Sequence, residues 1–280
     1  MSNTDPDPQA GINSDEQQDA AGSGWRSRLR AGEDAADSDS HFPRGIYLLP
    51  NLITTGALFA GFYAIVAGMN GHFIAAALAI FVAMALDTAD GRVARWTRTE
   101  SLFGAEYDSL SDMVAFGVAP ALVAFSWGLN TLGKVGWVVT FVYMACAALR
   151  LARFNIKSDL KSFTGLASPS AAAVIACSVW IWSDGAGGVQ PTQVGAAIMG
   201  AGIAAVGLLM VSNFPYYSPK VLNFKGRVPF ITLVLAVLVF AVLLADPPRV
   251  LLVLFSAYAL SGPVQFLWRW WRSSPTAEDS

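Results

Sequence analysis

Four aspartates occur as two closely spaced pairs in an otherwise apolar part of the chain. Asp87 and Asp90 are three residues apart, and Asp108 and Asp112 are four apart. Residues three or four apart share one face of an α-helix, so each pair would present its carboxylates together. The twelve residues between Arg95 and Asp108 are enough for a hairpin. Two antiparallel helices would then bring all four carboxylates to one depth.

Clustered carboxylates need positive charge among them, because four neighbouring groups cannot all stay ionised without it. Oxygen ligands favour a hard cation, Mg²⁺ or Mn²⁺, and a pair of such ions commonly holds phosphate oxygens during displacement at phosphorus. Gly91 and Ala94 lie on the face of Asp87 and Asp90 and leave room for a bulky ligand. Arg95, on the same face, would supply a cation for a phosphate. The pattern predicts a site for one or two divalent cations and a phosphate-bearing ligand.

The composition around this stretch is that of a membrane protein. Of 280 residues, 54% are hydrophobic and 14% are charged, and the mean hydropathy is +0.48. About 20 apolar residues cross a bilayer core about 30 Å thick. We therefore predict an all-α integral membrane protein with eight transmembrane helices, at 48–68, 72–95, 107–127, 133–154, 168–183, 193–213, 228–246 and 249–268. Small residues at four-residue spacing in the sixth segment would allow close helix packing: Ala197, Ala201 and Ala205.

The placement of basic residues tests this count. If the N-terminus is cytoplasmic and every segment crosses, all 18 Lys and Arg residues except Lys134 and Arg249 lie on the cytoplasmic side, as the positive-inside rule requires. The prediction is a multi-pass protein of the cell (inner) membrane with both termini cytoplasmic. The four aspartates then lie at the cytoplasmic edge, where charge costs less than in mid-membrane. The other hairpin charges are expected among lipid headgroups: Arg92, Arg98, Glu100 and Glu106.

The spacing D-x2-D-G-x2-A-R-x8-G-x3-D-x3-D, from Asp87 to Asp112, resembles the signature of the CDP-alcohol phosphatidyltransferases. The family resemblance covers about residues 45–220. Four further stretches resemble the branch of that family that uses serine: RGIYLLPNLITTGALFAGFYAI (44–65), GAEYDSLSDMVAFGVAPAL (104–122), LRLARFN (149–155) and FTGLASPSAAA (163–173). Thr88 and Ala89 depart from the usual residues between the first two aspartates, but neither is a fixed position.

The resemblance implies a helical bundle with a cytoplasmic-edge active site. Its reaction would transfer the phosphatidyl group from CDP-diacylglycerol to the hydroxyl of L-serine and release CMP. The implied ligands of two Mg²⁺ or Mn²⁺ ions are Asp87, Asp90, Asp108 and Asp112. Asp112 would complete the second metal site or act as the catalytic general base. The implied residues for the nucleotide and CDP-lipid are Asp90, Gly91, Ala94, Arg95, Gly104 and Asp108.

A carboxylate-bearing acceptor also needs a cation near the same depth. Arg150 and Arg153 lie at the cytoplasmic end of the fourth segment, and an arginine can pair with a carboxylate through two hydrogen bonds. Asn155 is a third candidate for binding serine. The alternative is that these arginines only follow the positive-inside rule or bind lipid headgroups.

The resemblance also implies partners, and together with composition and the apolar runs it divides the chain. The expected partners are CDP-diacylglycerol, L-serine, the CMP product, membrane lipids and a second copy of the chain as a homodimer, with no nucleic acid. The predicted divisions are a disordered acidic cytoplasmic tail at 1–40, a family core with six transmembrane helices at 41–220, two additional C-terminal helices at 221–272 and a short cytoplasmic tail at 273–280.

Other functions stay open at the level of sequence. A sister transferase would use another alcohol, such as glycerol phosphate, inositol phosphate or choline, because the aspartate motif handles only the CDP-lipid. A cation channel or transporter would use the aspartates as ion ligands along a pathway, although no comparable acid is predicted deeper in the membrane. A purely structural scaffold would not need two aligned aspartate pairs.

Overall fold

Long apolar runs separated by short turns make the described part of the chain helical. The computed structural model describes residues 48–156, 165–185, 191–214, 216 and 230–272, and none of these forms a β-strand. The long helices in these residues are α1 (Leu48–Met69), α2 (Phe73–Thr97), α3 (Leu102–Trp127), α4 (Lys134–Ile156), α5 (Ser168–Gly185), α6 (Gln193–Val211), α7 (Phe230–Ala245) and α8 (Pro247–Arg272). The predicted tails at 1–40 and 273–280 lie outside the described residues.

Six of these helices are long and apolar enough to cross a membrane: α1, α2, α3, α4, α6 and α8. The prediction of an all-helical chain is confirmed, and the spans are those of an integral membrane protein. The eight crossings stay a prediction, because α5 and α7 fall short by length or composition. Helix α7 has 16 described residues, which span about 24 Å at 1.5 Å per residue.

Helix α5 is less apolar at its ends, where Ser168 and Asp184 lie, but eight of its 18 residues are buried in the described bundle. It packs against α2, α3, α6 and α8, and its buried residues include Ala172, Ile175 and Val179. A helix enclosed by other helices exposes little surface to lipid. It therefore needs fewer large apolar side chains than its outer neighbours.

The connection between α2 and α3 is tighter than the predicted hairpin. Helix α2 continues to Thr97 and ends at Arg98, whose φ of 55° is left-handed. Helix α3 begins at Leu102, five residues before the predicted start at 107, because the side chain of Ser101 caps it by accepting a hydrogen bond from the Gly104 N–H at 3.0 Å. Only residues 98–101 remain between the two helices that carry the aspartates.

Helix α3 is not a uniform α-helix. It is α-helical over Leu102–Asp112, π-helical over Met113–Val118 and α-helical again over Ala119–Trp127. In the π-helical turn the Ala119 N–H donates to the carbonyl of Val114, five residues back. The apolar run at 107–127 predicted a continuous helix here, and its pattern gave no indication of the wide turn.

Small residues let α1 approach both α2 and α3. An added Cβ on Gly61 of α1 would lie 2.9 Å from the Ala115 Cα of α3, so the backbones are nearly in contact.

The small residues of α6 that were predicted to allow close helix packing do not pack against the other described helices of this chain. Ala197, Ala201 and Ala205 are exposed, whereas the buried small residues of α6 are Ala196, Gly200 and Gly207.

Candidate active site

The predicted aspartates meet where the α2–α3 connection approaches the first turns of α1. Asp87, Asp90 and Asp108 each offer a carboxylate oxygen, and these oxygens lie within 4.8 Å of one another. Asp90 is buried and the other two are half-buried. The helical spacing explains this convergence, because α2 turns one pair toward α3 and α3 turns Asp108 back toward it.

Asp112 lies beside this group rather than within it. Its carboxyl group is in hydrogen-bond contact with that of Asp87, and the charges of Asp108 and Arg150 are nearby. Two ionised carboxylates in such contact repel each other unless a cation or a proton lies between them. The structure therefore brings all four predicted aspartates together, with Asp112 on the side that faces α4.

These residues fit a hard divalent cation. The Oδ1 atom of Asp108 is buried and has no hydrogen-bond partner among the residues that the structure describes. A buried carboxylate oxygen without a partner is costly unless it coordinates a metal or carries a proton. The convergent donors of Asp87, Asp90 and Asp108 are all oxygens, the ligands that Mg²⁺ and Mn²⁺ prefer.

Two hydroxyl groups outside the predicted site residues stabilise this arrangement. The Thr54 hydroxyl of α1 donates to Asp90 Oδ2 at 2.7 Å, and it also lies 3.1 Å from the carbonyl of Pro50. The Ser111 hydroxyl of α3 donates to the carbonyl of Thr54 at 3.2 Å. All three side chains of the Ser111–Thr54–Asp90 link are buried. A hydroxyl residue within the apolar run of α1 was the signal that could have indicated Thr54.

A cavity of about 460 Å³ opens beside the aspartates, a size suited to a small-molecule ligand. Six of its lining residues belong to the spaced motif: Asp90, Gly91, Ala94, Arg95, Gly104 and Asp108. The first turns of α1 close another side with Pro50, Asn51 and Thr54. The residues predicted to bind a nucleotide therefore surround one space.

The two motif glycines have different surroundings. A Cβ added to Gly91 would meet no atom within 4 Å, so this position opens into free space. A Cβ on Gly104 would lie 3.1 Å from Ser101 Oγ, the atom that caps α3. Gly91 therefore leaves room beside the cavity, and Gly104 allows the tight start of α3. Arg95 lines the cavity, and its Nε donates to the carbonyl of Gly91 at 2.9 Å.

The three residues predicted to bind serine separate in the structure. Arg150 lies near Asp112 and donates through Nη1 to Ser168 Oγ at 2.7 Å. Its Nε is buried without a hydrogen-bond partner among the described residues. Arg153 instead donates to Asn213 Oδ1 at 2.7 Å, beyond the end of α6. Asn155 donates through Nδ2 to Ser109 Oγ at 3.2 Å.

Comparison with known proteins agrees with this geometry. Residues 47–261 match the model of the CDP-alcohol phosphatidyltransferase family. The chain belongs to this family. The resemblance inferred from the spaced aspartates is thereby confirmed, and the match extends from the start of α1 into α8.

Similar members of this CDP-alcohol phosphatidyltransferase family share one name. The chain is 34% identical over 225 residues to the CDP-diacylglycerol–serine O-phosphatidyltransferase of Helicobacter pylori (strain 26695), which covers 79% of this chain and 92% of the relative. It is 40% identical over 124 residues to the enzyme of that name from Bacillus subtilis, covering 44% of this chain and 70% of the relative. The Saccharomyces cerevisiae enzyme of that name is 37% identical over 134 residues, covering 42% of this chain and 48% of the relative.

Proposed function

We propose that this protein is a CDP-diacylglycerol–serine O-phosphatidyltransferase, a phosphatidylserine synthase. It transfers the phosphatidyl group of CDP-diacylglycerol to the hydroxyl oxygen of L-serine and releases CMP. The observation that carries the proposal is the cluster of Asp87, Asp90 and Asp108, with Asp112 in contact with Asp87, beside a cavity lined by six motif residues. The names of the relatives support serine as the acceptor.

The donor half of the proposed site holds the CDP-lipid. Asp87, Asp90 and Asp108 are the ligands of divalent cations, two Mg²⁺ or Mn²⁺ ions, with Asp112 able to complete the second site. When bound, such ions offset the charge of the diphosphate and stabilise CMP as a leaving group. The open space at Gly91 supports the placement of the cytidine there. Ala94 and Gly104 line the same space, and the Arg95 guanidinium pairs with phosphate oxygens.

The acceptor half of the proposed site activates and orients serine. A hydroxyl is a weak nucleophile at neutral pH, so a carboxylate within reach must take its proton. We assign that role to Asp112. The serine oxygen then forms the new bond to the β-phosphorus that carries diacylglycerol, and the bond from that phosphorus to the oxygen bridging to CMP breaks.

Arg150 is the better placed of the two arginines for the serine carboxylate. It lies near Asp112, its Nε has no partner among the described residues, and Ser168 holds its Nη1. These contacts orient the guanidinium and leave Nε available to a ligand. Arg153 is bound to Asn213, which makes it the weaker candidate, and Asn155 could contribute only with its partner Ser109.

The proposed arrangement in the membrane follows from the charges of the sequence. We propose eight crossings, both termini on the cytoplasmic side of the inner membrane, and a homodimer. The division into a core at 41–220 and two further helices at 221–272 belongs to the same proposal. A cytoplasmic-edge site suits the reaction, because one substrate is a lipid while serine and CMP are soluble.

The proposal is tested by offering the purified protein several acceptors. CDP-diacylglycerol and Mn²⁺ or Mg²⁺ are supplied in detergent with L-serine, glycerol phosphate, inositol phosphate or choline, and CMP release is measured for each. We expect release that depends on serine and is abolished by EDTA. Strong release with another alcohol and none with serine would contradict the assignment of the acceptor while keeping the family chemistry.

A further inference from the structure

We propose that the hydroxyl of Tyr143 positions Asp112 by holding the π-helical turn that follows this aspartate in α3. The inference rests on the proposed function for the role of Asp112. It concerns a residue on α4 whose hydroxyl hydrogen-bonds to the backbone of α3 and, among the described residues, to none of the four aspartates. Its ring lies near Arg150 on the same helix. Tyr143 is therefore a positioning residue and not a catalytic one.

Pro120 explains why α3 widens at this point. In an α-helix the carbonyl of Phe116 would accept a hydrogen bond from the N–H of residue 120, four positions later. Residue 120 is proline, which has no N–H and whose ring clashes with the carbonyl four residues before it. The chain forms the π-helical turn Met113–Val118 instead.

Tyr143 supplies the donor that Pro120 lacks. Its hydroxyl donates to the carbonyl of Phe116 at 2.9 Å. Phe116 and Tyr143 are both fully buried, so bulk water cannot satisfy this carbonyl. Inside a membrane protein an unpaired backbone carbonyl is costly, and side chains of neighbouring helices commonly supply the missing bond. The hydroxyl thus stabilises the wide turn in preference to other local conformations.

The turn determines the direction in which Asp112 faces. One additional residue in a helical turn changes the orientation of the preceding residues by about 100° relative to those that follow. The half of α3 after the turn is fixed, because Val123 lies 3.0 Å from a Cβ added to Gly68 of α1. The wide turn therefore sets the rotation of the half that carries Asp108 and Asp112, and the bond from Ser111 to the Thr54 carbonyl keeps that half against α1.

Helix α4 contacts α3 at the wide turn and again near Asp112, which precedes the turn. Tyr143 holds the carbonyl within the turn, and Arg150, two helical turns later on α4, lies near the Asp112 carboxyl group. Gly117, inside the turn, is close enough to α4 that an added Cβ would lie 3.2 Å from the Ala147 Cβ. The orientation of Asp112 toward Asp87 and Arg150 depends on this contact between the two helices.

Tyr143→Phe tests the inference against Tyr216→Phe as a matched control. Tyr216 also donates from a buried hydroxyl to a backbone carbonyl at 2.9 Å, that of Ala259, outside the α3 turn. Both variants lose the same kind of bond and keep the ring. We expect Tyr143→Phe to lower kcat for serine-dependent CMP release at least tenfold, with KM for CDP-diacylglycerol changed less than twofold. Tyr216→Phe should keep kcat within twofold of the wild type.

An unchanged kcat in Tyr143→Phe, or an equal loss of kcat in Tyr216→Phe, would overturn the positioning role.

A second comparison uses thermal stability alone. Pro120→Ala restores an N–H that can pair with the Phe116 carbonyl, so the loss in Tm caused by Tyr143→Phe should shrink by at least half in the Pro120→Ala background. The same loss in both backgrounds would contradict the link between the hydroxyl and Pro120. If the wild type released no CMP, the proposed function would fail, while the Tm comparison would still decide this link.

Discussion

Asp90 and Asp112 carry the same functional group in different surroundings. Asp90 is buried and accepts a short hydrogen bond from Thr54, which fixes its orientation as a ligand would require. Asp112 is half-buried, contacts Asp87 and lies near Arg150. The first environment suits a fixed metal ligand, and the second suits a group that takes a proton from an acceptor beside an arginine.

Asp112→Asn tests the role of Asp112 as the general base. The amide keeps the size of the side chain but cannot accept the proton, so we expect the serine-dependent rate to fall by about 10²–10⁴-fold, the usual contribution of a general base. CMP release measures the rate, and a thermal melt checks that the variant is folded. Glu106→Gln is the matched control, since Glu106 is an exposed acid on the same helix. A near-normal rate for Asp112→Asn would contradict the role.

Thr54→Val tests the role of Asp90 as a fixed metal ligand. Valine keeps the shape of threonine and removes the donor to Asp90, and loss of a hydrogen bond to a ligating carboxylate typically costs 10–100-fold in metal affinity. We expect Mn²⁺ binding, followed by electron paramagnetic resonance, to weaken by about that factor, and Thr54→Ser to restore it. The neighbouring Thr55→Val removes an exposed hydroxyl bonded to Tyr107 and Asn51 and should bind Mn²⁺ normally. Equal Mn²⁺ affinities in Thr54→Val, Thr54→Ser and Thr55→Val would mean that the Thr54 hydroxyl does not support the metal site.

At the scale of elements, α1 is a platform against which the two aspartate helices pack. It contacts α2 along its length and α3 through Gly61 and Gly68, where an added Cβ would come within 2.9–3.0 Å of Ala115 or Val123. Close approach of this kind places the Thr54 hydroxyl within reach of α2 and the Thr54 carbonyl within reach of Ser111.

Gly61→Ala should therefore destabilise the protein. The new methyl group meets the backbone of Ala115 and not a flexible side chain, so we expect a loss of about 1–3 kcal/mol, seen as a lower Tm in detergent. Gly202→Ala on α6 is the control, because a Cβ there meets nothing within 4 Å. Alanine at that exposed helical position should raise stability by about 0.5–1 kcal/mol. Two equal melting temperatures would show that α1 and α3 are less closely packed than described.

The sequence predicted the elements better than their details. Apolar runs predicted all eight helices, since a run of that length has few alternatives in a membrane. The start of α3 was placed five residues late, because the capping bond of Ser101 outweighs the polarity of the segment before Tyr107. The wide turn at Pro120 was not predicted, because its stabilising donor, Tyr143, lies 27 residues from Phe116. Thr54 is likewise 36 residues from Asp90, and such pairings depend on tertiary structure.

At the scale of the whole molecule, the described helices belong to one compact unit, in which α2, α3, α6 and α8 pack against α5. The asymmetry of basic residues in the sequence predicts that the α2–α3 connection lies on the cytoplasmic side and that the turns after α1 and α7 lie on the opposite side. The helices themselves support six spans by length and composition. Orientation and the crossings of α5 and α7 can be measured directly.

Single cysteines provide that measurement. We expect a membrane-impermeant maleimide, added outside right-side-out spheroplasts, to label His72→Cys and Ala245→Cys. Trp96→Cys, at the cytoplasmic end of α2, should react only after permeabilisation. The native Cys146 and Cys177 are buried and should give a low background. Labelling of Trp96→Cys from outside would reverse the topology, and an unreactive Ala245→Cys would contradict the last two crossings.

The most direct test of the central claim is the identity of the lipid product. Purified protein is incubated with CDP-diacylglycerol, isotopically labelled L-serine and Mn²⁺, and lipid and nucleotide products are measured together by mass spectrometry. We expect labelled phosphatidylserine and CMP in equal amounts, with neither formed after EDTA treatment or by Asp112→Asn. CMP release without labelled phosphatidylserine would contradict serine as the acceptor, and phosphatidylserine formed equally well by Asp112→Asn would contradict the role of Asp112.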